Sequence, residues 1–128
     1  KIKALLFNNF AWSLLQDTGP QKKTALNAAK SAYALFPDNI NILDTYATAL
    51  IQNNKFKQCI NLLKNNTQVQ KEPQLVFHLA KAYEKTKDLN NAVRNYRFIV
   101  ESNTTDNKIK LVVSKAKLKE HIDKLTKE

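Results

Sequence analysis

Apolar and small residues recur at helical spacing from Ala4 through Leu15 and again from Thr24 through Phe36, separated by the polar stretch QDTGPQKK. One-sided periodicity of about 3.6 residues marks an amphipathic helix. The pattern therefore predicts a helix, a turn holding Gly19 and Pro20, and a second helix. Leu26, Ala29, Ala32 with Tyr33, and Phe36 form the stripe of the second helix, and Pro37, Asp38 and Asn39 stop it. A third helix is predicted from about Ile40 to Gln52, with Ile42, Leu43, Tyr46, Ala47, Leu50 and Ile51 on one broad face and NNK closing it. Phe56, Cys59, Ile60, Leu62 and Leu63 make a fourth helix ending near KNNT, and Leu75 to Lys85 and Leu89 to Glu101 repeat the pair. Six helices thus stand in three hairpins.

The hairpins resemble one another. Aligning NNFAWSLL, LDTYATALI and VFHLAKAYEK brings Phe10–Ala11, Tyr46–Ala47 and Leu79–Ala80 into register at intervals of 36 and 33 residues. Each pair is a large apolar residue followed by alanine. In the second helices Ala25, Cys59 and Ala92 also register, each followed by an aliphatic residue: Leu26, Ile60 and Val93. A small side chain at a fixed position of every unit is what close helix packing between neighbours requires, and a period in this range marks a helical-repeat architecture.

On these residues the sequence resembles the tetratricopeptide repeat (TPR) family over roughly residues 4 to 101. The match rests on Leu14, Ala25, Ala29, Ala32 and Pro37 in the first repeat, and on Leu43, Tyr46, Ala47, Leu50, Phe56, Cys59 and Leu63 in the second. Val76, Leu79, Ala80, Tyr83, Leu89, Ala92, Tyr96 and Ile99 carry it in the third. The pattern has departures: the first turn is two residues longer than usual, Pro73 opens a helix where NNTQVQKEP has no closing proline, and Asn66 and Ile99 stand where a small residue is expected. The resemblance implies an all-α fold, a right-handed α-α superhelix of three hairpins, with repeats at about 4–37, 40–70 and 73–102 in one domain spanning 1–128. NNFAW, LDTYA and VFHLAKAY look most like TPR segments of bacterial envelope and exopolysaccharide-export proteins, which implies a periplasmic or envelope location, with the cytoplasm as the alternative.

Beyond the repeats, residues 108–127 place Ile109, Val112, Val113, Ala116, Leu118, Ile122 and Leu125 on a helical period, with lysines between them. The last hairpin of a stacked array exposes an apolar face, and a terminal helix with a polar outer side covers it. Lys108, Lys110, Lys115, Lys117, Lys119, Lys124 and Lys127 are then its wet face.

Composition narrows the picture further. One Gly and three Pro in 128 residues suit long helices, and the chain is long enough for one ordinary core. It has neither an apolar run long enough for a membrane span nor the cleavage site of a signal peptide. The start at Lys1, without Met and on a helical segment already in phase, gives the expectation of a piece cut from a longer protein. The formal charge is +10, and of 21 basic residues only Arg94 and Arg97 are arginine. Lysine is a hydrated point charge, less suited than arginine to bidentate recognition. The lysine-rich terminal helix leaves open a polyanion-binding module for nucleic acid, acidic polysaccharide or anionic lipid. The lack of interleaved aromatics and the scarcity of arginine argue against nucleic acid.

Candidate chemistry is sparse. His78 and His121 stand on different helices without metal-ligand spacing, Cys59 has Gln58 and Ile60 as neighbours and no base, and Gly19 is the only glycine, so a phosphate loop is missing. No enzyme, cofactor or metal is expected. Asn65 and Asn103 fit the glycosylation sequon, which matters only in a eukaryotic secretory context. The TPR resemblance instead implies a scaffold that binds a protein or peptide in a concave groove. By that carry-over the groove is lined by Asn8 and Trp12, Asp44 and Thr48, and Phe77 and Lys81, flanked by Asn9, Thr45, His78 and Lys85. Trp12 has a second reading, packing on a neighbouring helix. The positions that hold a chaperone carboxylate in one TPR subclass read Asn8, Trp12, Thr45, Gln74 and His78 here, which does not support that clamp.

Overall fold

The computed structural model describes residues 1–16, 21–102 and 115–127. Among the described residues every regular element is helical. The chain divides into two compact units, Lys1–Lys55 and Phe56–Glu128.

The first unit contains α1 (Ile2–Leu15), α2 (Lys22–Leu35) and α3 (Ile40–Gln52). The bounds of α3 are those the periodicity predicts. Asn39 fixes its start: the side-chain Oδ1 accepts a hydrogen bond from the Ile42 backbone N–H at 3.0 Å, satisfying one of the donors that a helix start leaves without a partner. The helix α2 packs against both α1 and α3. Its contact face is the alanine row Ala25, Ala28, Ala29 and Ala32. Ala25, Ala28 and Ala29 join Ala11, Leu15 and Ala49 in one core cluster, with Phe7, Leu14, Leu26 and Tyr46 packed at its edge. A second cluster gathers Ala4, Ala32 and Ile42. So many methyl-sized contacts let helix axes approach closely, which is why larger side chains sit around the alanines and not among them.

Phe10 departs from the expected register. Its partners in the alignment behave as packing residues, Tyr46 half-buried with its ring 5.2 Å from Tyr33 and Leu79 buried, but Phe10 is 52% exposed. Tyr46 rests on the helix before its own; no described helix of this unit stands in that relation to Phe10. Phe7, one turn earlier, packs against both clusters instead.

The 33-residue interval is written in the backbone as well as in the side chains. At the end of α3 the N–H groups of Asn53, Asn54 and Lys55 donate to the carbonyls of Ala49, Ile51 and Leu50, and Asn54 takes a positive φ of 60°. At the end of the helix Pro73–Lys85 those of Thr86, Lys87 and Asp88 donate to Ala82, Glu84 and Tyr83, and Lys87 takes a φ of 68°. A left-handed residue past the last turn lets the following N–H groups satisfy the terminal carbonyls. The same turn at the same offset is the strongest structural mark of the repeat.

The second unit contains α4 (Phe56–Leu63), a 3-10 turn at Val69–Lys71, α5 (Pro73–Lys85), α6 (Leu89–Val100) and α7 (Lys115–Thr126). Pro73 occupies the first turn of α5, where its missing N–H costs nothing. Asp88 caps α6, its Oδ1 accepting from the Asn91 N–H at 3.3 Å. The helix α5 packs against α4, α6 and the 3-10 turn, and α6 packs against α7. Sequence periodicity does not reveal the 3-10 turn, which is too short to show a period. Its Val69 is nevertheless buried. Cys59 is fully buried, and burial pushes its thiol up to about 12, which removes it as a nucleophile at neutral pH.

The terminal helix buries Leu118 and Ile122 and half-buries Leu125, a one-sided stripe, while Lys117, Lys119, Glu120, Asp123 and Lys124 are exposed. Lys115 differs from the expected wet face: its Nζ donates to the Ser102 carbonyl at 2.8 Å, just past the C-terminus of α6, where a cation suits the helix dipole. Lys108, Ile109, Lys110, Val112 and Val113, the turn at Gly19 and Pro20, and Asn103 lie outside the described residues.

Candidate functional site

In the first unit the residues picked out on α1 and α3 converge. Asn8, Asn9, Trp12, Asn41, Asp44 and Thr45 line a cleft of about 300 Å³. Trp12 is 44% exposed, unusual for so large an aromatic surface. Asn8 is buried at the base, and its Oδ1 has no hydrogen-bond partner. The Thr45 hydroxyl donates to the Asn41 carbonyl and the Thr48 hydroxyl to the Asp44 carbonyl, each at 2.9 Å along α3. Thr48 is therefore turned back onto its own helix and is not among the residues lining the cleft.

In the second unit Phe77, Lys81 and Lys85 of α5 come together with Glu84, Tyr96 of α6, and Lys117, Leu118 and His121 of α7 around a cleft of about 290 Å³. His78 is absent from this lining; it is half-buried, with its ring 6.2 Å from that of Phe77. Glu84, Tyr96 and His121, all in the lining, form a network. The Tyr96 hydroxyl donates to Glu84 Oε1 at 2.8 Å, and His121 Nε2 lies 2.7 Å from the same oxygen. An ionised carboxylate only accepts, so Nε2 carries the proton. The Tyr96 ring meets His121 edge-on at 5.2 Å and Phe77 at 6.0 Å.

One carboxylate thus ties three helices together. Burial raises the Glu84 carboxyl, but the hydrogen bonds from His121 and Tyr96, with the nearby charges of His121 and Lys85, outweigh it and hold the group below its ordinary value. Burial, followed by the bond to Glu84 and its charge, pushes the Tyr96 hydroxyl up, so it remains a donor. A carboxyl depressed in the folded state contributes stability that is full above the unfolded value of about 4.3 and is lost as pH falls through the folded value. Glu84→Gln is therefore expected to lower stability at neutral pH and to cost progressively less under acid, in paired urea titrations. An equal cost at both would contradict the network.

The sequence offers Tyr96 only as a residue of the repeat pattern, without its bond, and weighs His121 only as a metal ligand. The available hint was chemical: a buried tyrosine needs a partner for its hydroxyl. Among the described residues no group of three or more His, Cys, Asp and Glu is placed to hold a metal ion, and no helix is long and apolar enough to cross a membrane.

Paired helices of about 33 residues' spacing, small residues at fixed positions and a repeated left-handed turn define a helical-repeat protein of the tetratricopeptide type. The profile of the family described as anaphase-promoting complex, cyclosome, subunit 3, a TPR-type repeat family, matches residues 20–99. The chain belongs to that family. No curated protein and no solved structure matches it. Repeats of this type generally mediate protein–protein interaction and are typically non-catalytic.

Proposed function

We propose that this chain is a non-catalytic protein-binding module that holds a partner segment on the surface of its first helices. Asn8, Trp12 and Asp44 serve in the first unit, and Phe77, Lys81 and Lys85, with His78 beside them, serve in the second. The observation that carries this reading is the convergence of register-equivalent side chains on a cleft in each unit. Trp12 and Phe77 are the expected anchors, because partly exposed aromatics in concave surfaces supply most of the energy of such contacts. The polar residues around them set orientation.

The test is a comparison of two surface variants in pull-downs from the source cells. A Trp12→Ala, Phe77→Ala, Lys81→Glu variant is expected to lose the partners that wild type recovers. A control altered at two exposed positions away from both clefts, Leu35→Ala and Phe98→Ala, is expected to keep them. Recovery of the same partners by the first variant, with its helical circular dichroism intact, would sink the proposal.

A further inference from the structure

We infer that the cleft between α5, α6 and α7 takes an acidic peptide segment carrying one aromatic or branched aliphatic side chain. This rests on the protein-binding reading and names the chemistry of the partner at this site.

The floor of the cleft is apolar: Phe77 is half-buried, and Tyr96 and Leu118 are each 2% exposed. Its volume of about 290 Å³ lies just below the range of ligand sites, which run from about 300 Å³ upward. That suits a single large side chain and is small for a cofactor. The rim is cationic on two sides. Lys81 and Lys85 are one turn apart on α5, and Lys117 comes from α7.

The only carboxylate in the lining, Glu84, accepts from Tyr96 and His121 on one oxygen. Both bonds engage that oxygen while the Glu84 side chain stays 26% exposed, and three lysines outnumber the one carboxylate around the lining. An apolar slot flanked by ammonium groups complements an apolar residue with Asp or Glu on either side of it. Nucleic acid fits less well. Base stacking needs an open aromatic face, whereas Tyr96 is buried and meets Phe77 and His121 edge to face. The lining also holds no arginine.

The experiment selects binders from a random-peptide phage library on the full chain, then titrates a selected peptide by fluorescence anisotropy. Enriched peptides are expected to carry excess Asp and Glu around an aromatic or branched aliphatic residue. Replacing that residue by alanine, or using Lys81→Glu, Lys85→Glu protein, should each weaken binding at least about tenfold. A Lys117→Glu variant, changed on the opposite rim at an exposed position, should weaken it in the same direction. Basic or uncharged enriched peptides, no enrichment, or binding indifferent to the apolar residue would overturn the inference. Tighter binding of an oligonucleotide or heparin than of the selected peptide, lost in the same lysine variants, would overturn it in favour of a polyanion site. If these outcomes fail while the Trp12, Phe77, Lys81 variant still loses its protein partners, the acidic-peptide assignment falls and the protein-binding reading stands.

Discussion

Leu118→Ala is expected to destabilise the second unit by about 2–5 kcal/mol, toward the lower end as far as its site can collapse. Leu118 is 2% exposed and is one of two buried anchors of α7. Removing its methyl groups takes away both transfer energy and packing, and leaves Ile122, the half-buried Leu125 and the bonds of His121 to Glu84 and of Lys115 to Ser102 to hold the helix. The consequence extends to the cleft, since Leu118 forms part of its floor. Lys119→Ala, on the exposed side of the same helix, should change stability by no more than about 0.5 kcal/mol. Urea unfolding followed by circular dichroism checks both, and faster trypsin cleavage at the lysines of α7 should accompany the first. Equal midpoints for the two variants would mean that α7 is not a packed cap.

The second large effect comes from adding volume. Ala29→Leu keeps helix propensity nearly unchanged, so any loss must come from packing. Ala29 is fully buried in a cluster supplied by α1, α2 and α3, among Ala11, Leu15, Ala25, Ala28 and Ala49. Three extra carbons there force the helices apart or the side chains off their rotamers, at a cost of about 1–3 kcal/mol. Lys30→Leu, the exposed neighbour, should leave the thermal midpoint nearly unchanged. A shift as large in Lys30→Leu as in Ala29→Leu would show that the small residues are not there for close approach.

These two substitutions mark what the sequence could disclose. Alanine at Ala11, Ala25, Ala29 and Ala47 was readable because packing repeats with the helix, and repetition leaves a period. The ends of α3 were readable because Pro37, Asp38 and Asn39 interrupt the pattern before it and NNK closes it; the Asn39 cap itself appears only in the structure. The 3-10 turn at Val69 was not, being shorter than any period. Phe10 was misplaced because a repeat alignment assigns every unit the same neighbours, whereas among the described residues of the first unit no helix stands to Phe10 as α2 stands to Tyr46. The bonds of Glu84 to Tyr96 and His121 span 12 and 37 residues and belong to no period at all. Of the clefts, Asn8, Trp12, Asp44, Phe77 and Lys81 were named through the TPR resemblance, as were Thr48 and His78, which line neither. The walls supplied by α6 and α7 required the folded chain.

The most direct test of the protein-binding reading is site-specific photo-cross-linking, with a photoreactive residue placed in turn at Trp12, Asp44, Phe77, Lys85, Leu35 and Phe98. The account predicts cross-links to one partner protein from the first four positions and none from Leu35 or Phe98. Cross-links confined to Leu35 and Phe98 would contradict it.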